Sequence, residues 1–258
     1  MSWRLLVDGA APGAWNMAVD EALAESVAAG GSPPVLRLYR WSPPCLSLGF
    51  AQPSAAADTA FCAAHDVDVV RRPTGGLAVL HDAELTYAVI APVAPLGGPR
   101  AAYVRINQAL VVALRTLGVP AAVSEGPEAH SPSPDAVHPC FERPAPGEVV
   151  VAGRKLVGSA QRVERHTVLQ HGSILLAGTQ RDVLALQAGG GTAARGEITL
   201  GELLGAPPTW PRLLGAVRAA FELVFGVSLN LAQLDPAEQG AVAGELERFG
   251  SDAWTWRR

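Results

Sequence analysis

The chain has 258 residues, 49% hydrophobic and only 17% charged, a balance that supports a sizeable core and excludes a disordered chain. A net charge of −4 excludes a global field that would recruit DNA, RNA or anionic lipid. No segment approaches the roughly eighteen apolar residues of a membrane span, and Met1-Ser2-Trp3-Arg4 lacks the apolar run of a secretion signal. A cytoplasmic protein without membrane or nucleic-acid partners is expected.

Trp3–Val7 reads as a first strand. Asn16 then reads as the N-cap of a helix carrying Met17, Val19, Leu23 and Val27, stopped by Gly30-Gly31. Val35–Arg40 alternates like a half-buried strand, and Cys45–Leu48 continues that pattern after Pro43-Pro44. A helix over Ala55–His65 and a strand over Val67–Arg71 follow. Pro73-Thr74-Gly75-Gly76 is a tight turn into a strand pair, Leu77–Leu80 and Leu85–Ile90. The spacing over Ala101–Leu117 predicts a helix ended by Gly118. Glu125–Pro146 reads as a long surface loop, followed by strands at Glu148–Ala152, Leu156–Gln161 and Val168–Leu176. Helices are expected over Leu200–Leu204, Pro211–Phe225 and Pro236–Phe249. Ala188-Gly189-Gly190-Gly191 lacks both the strand-to-helix context and the GK[ST] of a phosphate loop, so it reads as a flexible loop. Strands and helices mix without strict βαβ alternation, which points to an α+β fold. With no internal repeat or linker, residues 1–258 read as one catalytic domain.

Three cysteines without a CxxC pair disfavour a disulfide framework and a structural zinc site, and the six histidines form no ligand cluster; no metal or cofactor is expected. Cys45 and Cys62 read as packing residues in a strand and a helix. Cys140 lies in the loop, beside Pro139, where functional side chains are commonly displayed. A thiol attacks as thiolate, and a nearby cation lowers its pKa from about 8.5 toward neutrality. Lys155, the one lysine among nineteen arginines, is such a cation, as are His138, His166 and His171. No G-x-S-x-G elbow supports a serine nucleophile.

Several segments together carry a resemblance. Arg71-Arg72-Pro73-Thr74-Gly75-Gly76 with His81-Asp82 resembles the RRxxGG…HD segment of the lipoate-protein ligase and biotin-protein ligase superfamily. Gly153-Arg154-Lys155-Leu156-Val157-Gly158-Ser159-Ala160 is similar to its GxKxxGxA segment. Asn16–Leu23, Leu169–Leu176 and Ser251–Trp254 resemble its first helix, a later strand and its ending. The resemblance implies a ligase-like catalytic domain of mixed β-sheets packed with helices. Its superfamily core spans about 33–230 and its helical C-terminal part about 200–258.

Within the superfamily, a Cys-Phe pair fifteen residues before the motif lysine is similar to the cysteine-dependent octanoyltransferases. That likeness implies transfer of octanoyl from acyl carrier protein to a lysine of a lipoyl-domain protein such as the glycine-cleavage H protein. Cys140 would carry the acyl thioester and Lys155 would lower its pKa, with no ATP needed. Leu77, where ligases place a third glycine, agrees. Gly75-Gly76 or Gly158-Ser159 would supply oxyanion donors, although the first reads equally as a hairpin turn and Gly158-Ser159-Ala160 as strand packing. Arg72 would orient His81-Asp82 or the carrier, or pair with Asp82. Thr74 belongs to the same acyl-binding turn. His171 is either a satisfied strand histidine or a base. The alternatives are an ATP-dependent lipoate ligase, an octanoyl amidotransferase between lipoyl domains, and a catalytically silent lipoyl-domain binding module.

Overall fold

The computed structural model describes residues 2–126, 141, 145–180, 182–186 and 196–258. Cys140, His138, most of the Glu125–Pro146 loop and Ala188–Gly191 lie outside the described residues, so the expectations for them are not addressed by the geometry.

The framework is an eight-stranded mixed sheet in the order β11-β1-β2-β6-β10-β9-β8-β7. Its strands are β1 (Ser2–Ala11), β2 (Val35–Trp41), β6 (Glu84–Pro92), β7 (Ala122–Val123), β8 (Val149–Val151), β9 (Arg154–Glu164), β10 (Thr167–Leu175) and β11 (Ser228–Leu231). The two pairings of β1 are parallel and the others antiparallel. A second sheet, order β4-β3-β5, holds β3 (Cys45–Leu48), β4 (Asp68–Arg71) and β5 (Val79–His81). This mixed architecture matches the α+β expectation.

Helices cover both faces of the large sheet. On one side α3 (Pro99–Thr116) and α6 (Trp210–Phe225) bury Ile106, Leu110, Val217 and Phe221 against Leu38, Val89 and Val157. On the other, α1 (Gly13–Ala28) and α7 (Pro236–Phe249) bury Met17, Val19, Leu23 and Val242 against Val35, Tyr39 and Ile90. The short helices α2 (Thr59–Ala64), α4 (Asp182–Ala185), α5 (Leu200–Leu204) and α8 (Asp252–Thr255) complete the described set. No helix among the described residues is long and apolar enough to cross a membrane.

Several sequence expectations are corrected. Asn16 is not an N-cap, because Pro12 holds that position. Asn16 is buried in the helix, donating to the Ala11 and Arg40 carbonyls and accepting from Arg37, so it ties α1 to β1 and β2. Strand β2 is buried on both faces, Arg40 excepted, since Arg37 finds carboxylate partners inside. The helix expected over Ala55–His65 is split: a 3-10 turn at Ser54–Ala56 ends before Asp58, which caps α2 through Phe61. The strands after the Pro73–Gly76 turn do not pair with each other. β5 joins β3 in the small sheet, while β6 runs between β2 and β10 in the large one. The C-terminal part is not purely helical, because β11 extends the large sheet alongside β1.

Candidate active site

Where the two sheets face each other, small side chains leave room. Register places Gly158 of β9 beside Ser173 of β10, Ser173 beside Thr86 of β6, and Thr86 beside Tyr39 of β2. The neighbouring row is Ala160, His171, Ala88 and Arg37. Residues two apart on a strand share a face. Both rows therefore form one floor, small at the β9 end and closed by Tyr39 and Trp41 at the β2 end. Ser47, Arg72, Gly76, Val79 and His81 from the small sheet and its connections form the roof, and Met17 of α1 closes one side. The space between floor and roof is a narrow, mostly apolar cleft that opens to solvent at its mouth.

Lys155 lies at the β9 end. It is 1% exposed, and its Nζ donates to Glu148 Oε1 at 2.6 Å. Its ammonium sits 4.9 Å from the centre of the Phe141 ring. Glu148 Oε2 accepts from the Ala145 amide, so the pair also fixes the chain at the end of the Glu125–Pro146 segment. The sequence offers Lys155 as a cation for a thiolate but gives no sign of its buried carboxylate partner Glu148, which reads only as the first residue of a strand. Gly158 explains the crowding. A Cβ there would lie 2.6 Å from Phe141 Cζ and 3.3 Å from Lys155 Cε.

Two histidine relays back the cleft. In the first, His171 places Nδ1 3.1 Å from Asp20 Oδ2 and Nε2 2.7 Å from Thr74 Oγ1. The network assigns Nδ1–H to Asp20 and leaves Nε2 to accept from Thr74. Burial holds His171 below its ordinary value despite the hydrogen bond to Asp20. Burial alone would raise the Asp20 carboxyl, but the His171 hydrogen bond and the Arg37 charge hold it below its ordinary value. In the second relay, His81 places Nε2 2.8 Å from Ser47 Oγ and Nδ1 2.8 Å from Glu84 Oε1. Trp41 stacks on His81 at 4.0 Å, and Ser173 also donates to Glu84. Sequence reasoning missed Ser47 and Ser173, which line the cleft, and Asp20 and Glu84, which hold its histidines; apart from the His81–Glu84 pair, three residues apart, these bonds join segments distant in the chain.

Other expected site residues fall as follows. Arg72 donates to Ser47, Gly75 and Leu77 carbonyls, so it braces the Pro73–Gly76 turn. It reaches His81 through Ser47 and makes no ion pair with the exposed Asp82. Gly76 has φ +92°, and its oxygen lies where a Cβ on Gly49 would stand, 1.9 Å away. The turn and a close backbone contact thus both require glycine. Gly75 is exposed beside it. The Ser159 hydroxyl is engaged on the α3 side, with Tyr87 at 2.7 Å and Asn107 at 3.2 Å. His166 sits exposed in the β9–β10 turn, apart from the residues lining the cleft. Cys45 and Cys62 are buried, and burial raises both thiols, as their packing role requires.

Residues 12–196 match the family described as the Lipoyl protein ligase A/B catalytic domain. The chain is 38% identical to the protein named octanoyltransferase LipM of Symbiobacterium thermophilum, over all of this chain and 99% of that one. It is 33% identical to octanoyltransferase LipM of Bacillus subtilis, again over 100% and 99%. Among solved structures, lipoate-protein ligase A bound with ATP superposes with a TM-score of 0.84 at 19% identity, covering 99% of both chains. A putative lipoate protein ligase from T. acidophilum with bound lipoic acid gives 0.79 at 20% identity, over 99% of this chain and 100% of that one. The chain belongs to the lipoyl protein ligase A/B catalytic domain family, and within it to the octanoyltransferases of the LipM type.

Proposed function

We propose that the protein is an octanoyltransferase that takes octanoyl from a carrier thioester and places it on a lysine of a lipoyl-domain protein. The observation that carries this reading is the buried Lys155 ammonium, held against Phe141 at the end of a cleft floored by Gly158, Ser173 and Thr86. Phe141 is the residue covalently joined to Cys140. The full-length likeness to octanoyltransferases named LipM supports the same reaction.

In this reading the Cys140 thiolate attacks the thioester carbonyl, and the tetrahedral intermediate collapses by expelling the carrier thiolate. The acceptor lysine, as neutral amine, then attacks the acyl-cysteine. Its C–N bond forms, the C–S bond breaks, and the nitrogen's surplus proton goes to the departing sulfur. Two thiol-ester steps replace one harder transfer, and amide formation drives the sequence without ATP. Each step builds charge on oxygen. Beyond Val157, β9 pairs only with β10 among the described residues. Alternate backbone amides from Gly158 onward face away from β10 and are suited to receive that oxygen.

In this reading the acyl chain lies across the floor. From Gly158 to Thr86 is two strand spacings, about 10 Å, comparable with an extended eight-carbon chain. Burying its seven carbons beyond the carbonyl contributes roughly 5 kcal/mol. The glycine-cleavage H protein as acceptor, a cytoplasmic location and a single catalytic domain over 1–258 are parts of the same proposal. Assaying the two donor chemistries side by side tests it. Octanoyl transfer from the carrier thioester without ATP supports the proposal, whereas turnover of free lipoate only with ATP makes the chain a ligase. An octanoyl-lipoyl domain serving as the only donor makes it an amidotransferase.

A further inference from the structure

The face of the β9–β10 hairpin that floors the cleft continues into a second groove. Ala160 and His171 line the cleft; two residues further toward the hairpin turn, the same face carries Arg162 and Leu169, then Glu164 and Thr167. Those four form one wall of a groove of about 930 Å³, faced by Phe50, Trp254, Arg248 and Arg257. Helix α1 follows the same course, with Met17 at the cleft and Glu21 and Ala24 at the groove.

The groove's cations divide into two sets. Arg162 pairs with Glu21 and Glu164, and Arg248 with Glu21 and Glu245. Arg165 and Arg257 have no carboxylate within 4.0 Å among the described residues, and Glu25 also lines the groove. The Arg257 guanidinium lies over Trp254 at 3.8 Å and over Phe50 at 4.1 Å, and its Nε is buried without a hydrogen-bond partner. Beneath it, the fully buried Arg71 is bonded to the Gly49, Gln52 and Thr255 carbonyls, and its Nη2 has no partner. Burial, with Arg257, Arg258 and Arg72 nearby, pushes Arg71 down to about 10. Two arginines left without a carboxylate partner beside two paired ones favour a bound anion, and guanidinium forks match phosphate oxygens.

The geometry points to this groove as the binding site for the phosphodiester of the prosthetic arm that delivers the acyl thioester to the cleft. The inference rests on the acyl-transfer reading above. From Gly158 to Glu164 is six residues of strand, about 20 Å, which an arm of pantetheine length spans with its thioester in the cleft and its phosphate among the arginines.

The test compares three octanoyl thioesters: on the carrier protein, on free 4′-phosphopantetheine, and on uncharged N-acetylcysteamine. The double variant Arg165→Asn/Arg257→Gln should raise KM about tenfold or more for both phosphate-bearing donors and leave the uncharged donor unchanged. Arg165→Asn alone, at the exposed turn, should show a smaller loss in the same pattern. Equal loss with all three donors overturns the inference and makes the arginines structural. Loss confined to the carrier-borne donor also overturns it, in favour of an acidic protein surface as occupant. Binding of free 4′-phosphopantetheine to the full chain, measured by calorimetry, is independent of turnover. If no donor is turned over, the acyl-transfer reading fails, while arm binding abolished in the double variant still supports the site and absent binding refutes it.

Discussion

Glu148 Oε1 accepts from Lys155 Nζ at 2.6 Å, and both side chains are buried. The cation proposed to assist a thiolate is thus already bound to a carboxylate. Glu148 both positions the ammonium and offsets part of its charge. Glu148→Ala should destabilise the fold by about 3–5 kcal/mol, the usual cost of breaking a buried pair. Glu148→Gln, which keeps an oxygen acceptor, should cost less. In that variant the alkylation profile of Cys140 should move to lower pH, because an offsetting negative charge is gone. An unchanged profile would make the pair purely structural.

Lys155→Arg should leave the protein folded yet slow acylation of Cys140. A planar fork does not occupy the place of a point charge held between Glu148 and the Phe141 ring. Single-turnover acylation compared with thermal stability separates the two effects.

Gly158→Ala introduces a Cβ at 2.6 Å from the Phe141 ring. Overpacking of this kind costs about 1–3 kcal/mol, and displacement of Phe141 should lower octanoyl transfer. Adding Phe141→Leu should recover part of the lost stability. A double-mutant cycle of unfolding free energies checks this, and strict additivity would deny the contact.

Ser173 lies between Gly158 and Thr86 on the cleft floor. Ser173→Leu should shorten the space for the acyl chain. Octanoyl transfer should fall relative to butanoyl transfer by about tenfold, corresponding to roughly 1–2 kcal/mol for two displaced methylenes at about 0.8 each. Competition between the two thioesters measures the ratio directly.

Asp20 and His171 give a pH dependence with a defined sign. Both are held below their ordinary values of 3.8 and 6.5. The unfolded chain therefore takes up each proton first, and stability falls as pH drops through each window. The His171 contribution should be complete above pH 6.5 and decline below it. That of Asp20 should decline only below 3.8. His171→Gln should flatten the upper step, seen as a melting temperature independent of pH just below neutrality.

Much of the fold was legible because its signals are local. The helix expected over Pro236–Phe249 is α7, and Gly118, expected to end a helix, follows α3 at φ +91°. What eluded the sequence is non-local pairing. Asn16 looks like a cap until Arg37, twenty-one residues away, claims its side chain. The strand β11 has only four residues and is recognisable through its pairing with β1 across the whole chain. The cleft was half legible. Its motif residues, Arg72, His81, Gly158 and His171, stand at its walls. Their partners Asp20, Glu84 and Glu148 carried no pattern, since a carboxylate acquires its role from whichever cation or imidazole the fold sets beside it.

The proposed chemistry turns on a covalent octanoyl–enzyme intermediate on Cys140. Intact mass of the protein after incubation with octanoyl-carrier thioester, without an acceptor, measures it most directly. One added octanoyl group is expected, absent in Cys140→Ala and discharged on adding a lipoyl-domain acceptor. Undiminished octanoyl transfer by Cys140→Ala would contradict it.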